Sequence, residues 1–131
     1  MRMPQMSEQV THGIRVGATA FFLPNESDAG EKRFVFEYQV VIVNESDRTA
    51  TLLNRHWTII DGNGQVEEVR GPGVVGQQPR LEAAKAFKYH SFCPLRTEWG
   101  TMEGEYEFEW EDGEKFMVKV GRFFLAKTKL A

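Results

Sequence analysis

The sequence has a single cysteine, Cys93, among its 131 residues, so no internal disulfide can form. A chain without disulfides fits a reducing compartment, and we expect a cytoplasmic protein. The opening residues, MRMPQMSEQ, lack the apolar segment of a signal peptide. No apolar run reaches the ~20 residues of a membrane span. These absences predict a protein that does not insert into a membrane.

The sequence also lacks an excess of positive charge. The formal net charge is -3, and no run of five or more basic residues occurs. Because phosphate backbones attract basic surfaces, the composition predicts no nucleic-acid partner. Apolar residues make up 41% and charged residues 27%, as in an ordinary globular domain. The length is enough for one hydrophobic core.

Two-residue alternation of apolar side chains dominates from Ile14 onward and indicates β-strands. The alternating segments are 14–22, 34–42, 52–60, 66–70, 87–92 and the final hairpin. They predict an all-β fold: an immunoglobulin or fibronectin type III-like antiparallel β-sandwich of about seven strands, with Trp57 in its core. A small open barrel is the alternative. The segment LEAAKAF, 81–87, could begin a helix by propensity, although a loop before a strand is favoured.

The domain organisation follows from the same pattern. Residues 1–11 are polar and aperiodic, so we expect a flexible arm. The sandwich is predicted to span 12–126, and 127–131 form a C-terminal tail.

The alternation of apolar residues in the last hairpin predicts the register of its two strands. A two-residue turn would pair core-facing with solvent-facing side chains, whereas a three-residue loop, 111–113, places Phe108 opposite Phe116. Such a loop ends in a left-handed residue, a role that suits Gly113. The solvent face of the first strand is then a row of carboxylates: Glu105, Glu107, Glu109 and Glu111.

Gly71, Gly73 and Gly76 have the spacing GxGxxG, which can form a phosphate cradle between a strand and a helix. Here no amphipathic helix pattern follows, and the lysine-serine pair of a Walker loop is absent. We therefore predict a loop that crosses between the sheets. An alternative is an anion nest, in which backbone N–H groups bind an anion beside Arg70 and Arg80.

Catalytic and metal motifs are lacking. His12, His56 and His90 are far apart in sequence, and a lone cysteine cannot supply a zinc cluster. His56 and His90, with nearby carboxylates, are the only candidates for weak metal binding. Cys93 is expected to be a small buried hydrophobe, and no serine lies in a GxSxG elbow. The sequence predicts no enzyme.

Several motifs together resemble the ApaG family. They are RHW at 55–57, DG at 61–62, VRGPGVVGQQP at 69–79, CPL at 93–95, and GTM at 100–102 with Gly104 and Tyr106. The resemblance covers about 14–125. Phe92 and Trp99 depart from it, because members often have a small residue at the first position and a small or polar one at the second, and the tail 126–131 passes the usual end.

The resemblance implies a fibronectin type III-like sandwich with no established catalytic activity. It links the chain to cobalt and magnesium tolerance or efflux, and to a gene neighbourhood that encodes a diadenosine tetraphosphate hydrolase. Related domains in eukaryotic F-box proteins and in a polymerase-associated protein imply protein contacts. A nucleotide or pyrophosphate role has been proposed for the family's GxGxxG spacing, which falls on Gly71, Gly73 and Gly76 here.

The leading hypothesis is a non-enzymatic interaction domain in Co²⁺/Mg²⁺ homeostasis, with an unidentified protein partner and with a homodimer as likely as a monomer. The candidate binding loop consists of His56, Arg70, Gly71, Gly73, Gly76 and Arg80. The alternative is a binder of phosphate, pyrophosphate or a metal–nucleotide at the same loop. A third hypothesis is direct binding of Co²⁺ or Mg²⁺ through His56, His90 and carboxylates.

Overall fold

The computed structural model describes residues 6–127, which form nine β-strands. The strands are β1 (Met6–Thr11), β2 (Ile14–Phe22), β3 (Phe34–Asn44), β4 (Ala50–Asp61), β5 (Val66–Pro72), β6 (Arg80–Leu81), β7 (Ala86–Leu95), β8 (Trp99–Trp110) and β9 (Lys115–Ala126). Two 3₁₀ turns, Pro24–Glu26 and Ala29–Glu31, lie between β2 and β3. The described residues contain no α-helix. None of them therefore forms a helix that could cross a lipid bilayer.

The strands form two antiparallel sheets. The first has the order β1-β2-β3-β7, and the second has the order β5-β4-β8-β9, with β6 also paired to β4. Their apolar faces meet in one core, which confirms the predicted all-β sandwich. The helix considered for 81–87 is wrong. Leu81 belongs to β6, and a turn leads from it into β7.

The predicted flexible arm at 1–11 is wrong for Met6–Thr11, which forms β1. Its backbone pairs along β2, from Met6 opposite Thr19 to Thr11 opposite Ile14. It also reaches the second sheet, because the Ser7 hydroxyl donates to the Gly121 carbonyl oxygen over 2.7 Å. Its side chains are mostly exposed, so no apolar alternation revealed the strand. Residues 1–5 of the arm and 128–131 of the tail lie outside the described residues.

Trp57 lies at the centre of the core, as predicted, with 2% of its surface exposed. Its ring centroid is 5.5 Å from that of Tyr38, 6.0 Å from that of Tyr106 and 6.1 Å from that of Phe123. Tyr38 comes from the first sheet and the other two rings from the second, so Trp57 joins the layers. Aromatic packing of this kind contributes beyond the area that it buries.

The last hairpin has the predicted register. Phe108 lies opposite Phe116, and the Trp110 N–H donates to the Glu114 carbonyl oxygen over 2.9 Å, which closes a three-residue loop. Gly113 has a φ of 91°, in the left-handed region. The loop therefore has the bulged geometry that the alternation required.

The two sides of the sandwich differ. On one side β1 bonds to both sheets and closes the gap between them. On the other side β7 ends the first sheet and β5 ends the second. The chain from β5 to β6 lies at this second side and contains the glycine-rich residues. Because β5 and β6 both pair with β4, this loop stays within the second sheet, and the predicted crossing between the sheets is wrong.

Candidate functional site: the glycine loop and the inter-sheet cleft

The glycine loop, residues 71–77, contains a tight β-turn at 74–77. The Val74 N–H donates to the Gln77 carbonyl oxygen over 2.8 Å, and the Gln77 N–H donates back over 2.9 Å. Between them, Val75 has a φ of 43° and Gly76 a φ of 79°. Two successive positive φ values correspond to a type I′ turn. As predicted, the loop does not begin a helix.

Each glycine of the GxGxxG spacing has a steric reason. A Cβ atom at Gly71 would stand 3.0 Å from the Arg55 Nη1 and Nη2 atoms. A Cβ atom at Gly73, which has a φ of 63°, would overlap the Gln77 carbonyl oxygen. Gly76 has open space around it and is needed only for its positive φ. The three glycines are therefore required by the packing and the backbone conformation of the loop.

Several backbone N–H groups of the loop already have acceptors within the protein. The Gly73 N–H donates to the Leu53 carbonyl oxygen over 2.8 Å, and those of Val74 and Gln77 bond within the turn. An anion nest needs successive N–H groups that are free to converge on one ligand. This part of the loop does not provide them.

Two carbonyl groups of the loop accept hydrogen bonds from the guanidinium of Arg55. Arg55 Nη1 donates to the Pro72 carbonyl oxygen over 2.9 Å and to the Gly73 carbonyl oxygen over 3.0 Å. Arg55 thus fixes the loop against β4. Arg55 was not among the candidate binding residues predicted from the sequence. Its inward direction could have been predicted, because it lies two residues before the core residue Trp57 and therefore shares the face of Trp57.

His56 and Arg70 lie opposite each other on β4 and β5 and face outward from the second sheet. His56 Nε2 is 2.8 Å from Glu68 Oε1, and its Nδ1 is 3.8 Å from Glu105 Oε1. Arg70 Nη2 is 3.5 Å from the same Glu68 oxygen. The two residues therefore share a surface with carboxylates, next to the backbone of Gly71.

Arg80 and His90 lie elsewhere. Arg80 belongs to β6, and its backbone pairs with that of Thr51 in β4. Its Nη2 atom donates to Glu111 Oε1 over 2.6 Å. His90 is on the outer face of the first sheet, whereas His56 is on the outer face of the second. The two histidines cannot bind one ion. Across residues 6–127, no group of three or more His, Cys, Asp or Glu side chains is arranged to hold a metal.

Under the glycine loop lies a cavity of about 360 Å³ between the two sheets, here called the cleft. The sequence did not predict it, because its walls come from five strands and the turn. Its lining is mainly apolar, from Tyr38, Trp57, Ile59, Val69, Val74, Val75, Tyr89, Phe92, Cys93, Pro94 and Met102. Arg55, Glu67, Gly76 and Ser91 complete it.

One polar group of the cleft lacks a hydrogen-bond partner, and one charged group lacks a counter-ion. The buried Trp57 Nε1 atom has no hydrogen-bond acceptor among residues 6–127. Arg55 has no carboxylate within 4.0 Å in that part of the chain, whereas Arg70 and Arg80 both do. An unpaired buried N–H group costs about 1–3 kcal/mol.

Three buried groups in or beside the cleft, those of Tyr89, Tyr106 and Cys93, favour their neutral forms. The Tyr89 and Tyr106 hydroxyls are 2.5 Å apart, and burial raises the pKa of both. Burial, with a smaller contribution from the Glu67 charge, raises the pKa of Cys93 to about 12. The thiol is therefore protonated at neutral pH, and a protonated thiol is a poor nucleophile.

Two exposed apolar residues, Val75 and Phe92, border the cleft and are here called the rim. Val75 at the tip of the turn is 50% exposed, and Phe92 on β7 is 56% exposed. The Phe92 ring shares the outward face of β7 with His90, and the two ring centroids are 6.1 Å apart.

Comparison with known proteins gives a consistent result. The ApaG domain profile matches residues 24–110. The chain is 48% identical over 120 residues to Protein ApaG of Allorhizobium ampelinum, covering 92% of each, and 43% identical over 125 residues to Protein ApaG of Aromatoleum aromaticum, covering 95% of this chain and 98% of that one.

A crystal structure from Bordetella pertussis, described as an ApaA protein, has a TM-score of 0.83 to this structure and 40% sequence identity. The similarity covers 96% of both chains. Sequence and fold therefore agree, and the chain belongs to the ApaG family.

Proposed function

We propose that this protein is a non-enzymatic binding module of the cytoplasm that acts through protein contacts in Co²⁺/Mg²⁺ homeostasis. The cation pathway is what the family resemblance implies. The observation that supports a contact surface is the conformation of Val75. A β-branched residue at positive φ is a genuine backbone outlier, and such strain costs on the order of 1–3 kcal/mol.

Val75 buries little apolar surface to offset this backbone strain. Half of its surface stays exposed, and an asparagine would fit the turn better. Phe92 also borders the cleft, at the edge formed by β7, and is exposed on the outward face of that strand. Apolar side chains grouped on a surface are typical of protein-binding sites. A contact role accounts for both residues.

The chemistry of the described residues supports binding rather than catalysis. Cys93 is buried and protonated at neutral pH. His56 and His90 face away from each other on opposite outer faces. A nucleophile needs a base within hydrogen-bond reach, and neither histidine adjoins Cys93 in such a pair.

Cobalt tolerance in a bacterium that lacks its own copy of the gene provides the test. The wild-type chain should restore growth in Co²⁺, whereas Val75→Asp and Phe92→Asp should not, with melting temperatures close to that of the wild type. The matched control is Val10→Asp, because Val10 is 44% exposed on β1, at the far side of the sandwich. Full restoration by both rim variants would refute the proposed surface.

A photo-crosslinking side chain tests the protein contact directly. Placed at position 75, it should capture one defined protein in living cells, and placed at position 10 it should not. Identical capture patterns at the two positions would contradict a rim-specific partner.

A homodimer is the simplest identity for that partner. Val66 on β5 is 61% exposed, and edge strands readily pair with a second chain. Sedimentation of the purified protein at increasing concentration distinguishes a self-associating rim from one that binds a different protein.

A second candidate function is binding of phosphate, pyrophosphate or a metal–nucleotide beside the glycine loop. The observation that favours it is the Arg70 side chain, 69% exposed next to Gly71. Calorimetry with pyrophosphate, with and without Co²⁺ or Mg²⁺, tests it. Arg70→Ala should abolish the heat, and Arg80→Ala serves as the control. A flat titration at millimolar ligand excludes this function.

A further inference from the structure

The cleft has the size and lining of a small-molecule site. Its volume of about 360 Å³ falls within the ~300–1,000 Å³ of typical ligand pockets. Tyr38, Trp57 and Tyr89 supply aromatic walls from both sheets. Such pockets are mostly apolar and contain a few polar groups that orient the ligand.

The first orienting group is the indole N–H of Trp57. The side chain is 2% exposed and lines the cleft, and its Nε1 atom has no acceptor in residues 6–127. Buried indole N–H groups usually find a partner. Less than 1 Å² of the Nε1 atom itself is accessible, so a ligand oxygen in the cleft would supply the missing acceptor only after a small shift of the indole ring.

The second orienting group is Arg55. Its Nη1 atom is held by the Pro72 and Gly73 carbonyl oxygens, which fixes the guanidinium against the turn. For its Nε and Nη2 atoms, residues 6–127 provide no hydrogen-bond acceptor and no carboxylate within 4.0 Å. A planar guanidinium with one edge free is suited to a carboxylate.

Arg55 and Trp57 are close enough to bind one ligand group. They lie two residues apart on the same face of β4, so their Cα atoms are about 6–7 Å apart. One carboxylate between the two side chains can accept from the guanidinium with one oxygen and from the indole with the other. The apolar part of the ligand then lies toward Tyr38 and Tyr89.

We propose that the cleft binds a small carboxylic acid with an apolar body of about the size of a phenyl ring, through Arg55 and Trp57. This site lies in the same cleft that the rim residues border, but its binding chemistry does not depend on the protein contact proposed there. Free acids and the C-terminal carboxylate of a peptide share this chemistry.

Glu67 provides a test of whether the bound ligand is negatively charged. It lines the same cleft, but its side chain is exposed and lies more than 4.0 Å from the Arg55 nitrogen atoms. Its negative charge opposes a bound carboxylate and would favour a bound cation. Glu67→Gln should therefore tighten an acid and weaken an amine.

The experiment follows the indole N–H signals of the three tryptophans by ¹⁵N NMR, with Trp57→Phe to assign one of them. On titration with 3-phenylpropionate, the Trp57 signal should move, and those of Trp99 and Trp110 should stay. Arg55→Gln should weaken binding about tenfold or more, because a charged hydrogen bond is lost. Arg70→Gln, on the outer face, should leave the affinity unchanged.

Three further measurements keep the proposal falsifiable if Arg55→Gln does not fold. 3-Phenylpropanamide should bind at least about tenfold more weakly than the acid. Glu67→Gln should strengthen binding of the acid. Acetylphenylalanine and a pentapeptide ending in phenylalanine separate the two sources of carboxylate, and binding of either supports the proposal.

Several results would overturn it. One is a Trp57 signal that does not move with any carboxylate at about 10 mM, a concentration that reveals even weak sites. Others are equal binding of acid and amide, or tighter binding of phenylpropyl-trimethylammonium than of the acid.

Discussion

The Arg55 guanidinium lies against Gly71, with its Nη1 and Nη2 atoms 3.0 Å from the place where a Cβ atom of residue 71 would stand. The same Nη1 atom donates to the two carbonyl oxygens that follow, those of Pro72 and Gly73. The first glycine of the GxGxxG spacing thus makes room for an arginine that holds the turn. A pattern associated with phosphate binding here has a structural cause.

We expect Gly71→Ala to destabilise the protein by about 1–2 kcal/mol. Gly71 is not among the residues with positive φ, so alanine fits the backbone, but its methyl group would push the guanidinium by a few tenths of an ångström and weaken its two hydrogen bonds. The loss corresponds to hydrogen bonds from a charged donor. Urea unfolding measures the change in the free energy of unfolding.

A double-mutant cycle isolates this cause. In an Arg55→Ala background there is no guanidinium to displace, so Gly71→Ala should cost much less than in the wild type. An equal cost in both backgrounds would show that residue 71 acts on the loop without Arg55.

The fold was largely predictable because a half-buried strand shows its burial pattern in its own sequence. β3 alternates buried and part-buried residues over most of its length, and the hairpin register followed from which faces must match. β1 could not be found in this way, because its partners are backbone groups and most of its side chains are exposed. β6 has only two residues, Arg80–Leu81, too few for any pattern.

The candidate site was predictable only in part. The glycine spacing pointed to a loop that borders the cleft, and His56 and Arg70 lie beside that loop. Arg80 seemed equally close along the chain, yet its side chain binds Glu111 instead. The cleft could not be predicted from the sequence. It depends on the distance between the two sheets at one edge, and no local sequence pattern indicates that distance.

We expect Val75→Asn to stabilise the protein by about 0.5–1 kcal/mol. Val75 has a φ of 43° in a turn whose preferred sequence is Asn-Gly, and Gly76 already occupies the second position. The melting temperature should rise by a few degrees. Gly76→Ala is the matched control and should lower it, because alanine resists a φ of 79°.

The same substitution separates stability from function. If Val75 contributes to a partner contact, Val75→Asn should be more stable but less able to restore cobalt tolerance. A variant that is both more stable and fully active would argue that the strained valine has no role in the contact.

The Tyr89–Tyr106 pair should behave differently in single and double variants. Tyr89→Phe leaves the fully buried Tyr106 hydroxyl without its partner, at a cost of about 1–3 kcal/mol. Removing both hydroxyls leaves no unpaired group, so the double variant should be more stable than either single variant. Thermal unfolding of the four proteins measures the coupling, and strictly additive losses would contradict a shared hydrogen bond.

Alkaline pH should destabilise the protein, beginning with Cys93. The ordinary pKa of the thiol is 9.0, and burial raises it to about 12 in the folded chain. Between these values the unfolded chain has lost the proton and the folded chain keeps it. The stability linked to this group is thus complete below about pH 9 and falls as the pH rises toward 12, by about 1.4 kcal/mol per pH unit.

Cys93→Ala isolates the contribution of the thiol. The variant should be less stable than the wild type at about pH 7, because a buried side chain is shortened. Its free energy of unfolding should then fall less steeply between about pH 9 and 10, before the buried tyrosines, whose pKa values are also raised, contribute. Urea unfolding across this range gives both slopes. Their difference should approach one proton per molecule, and parallel slopes would mean that the folded protein does not hold Cys93 in its neutral form.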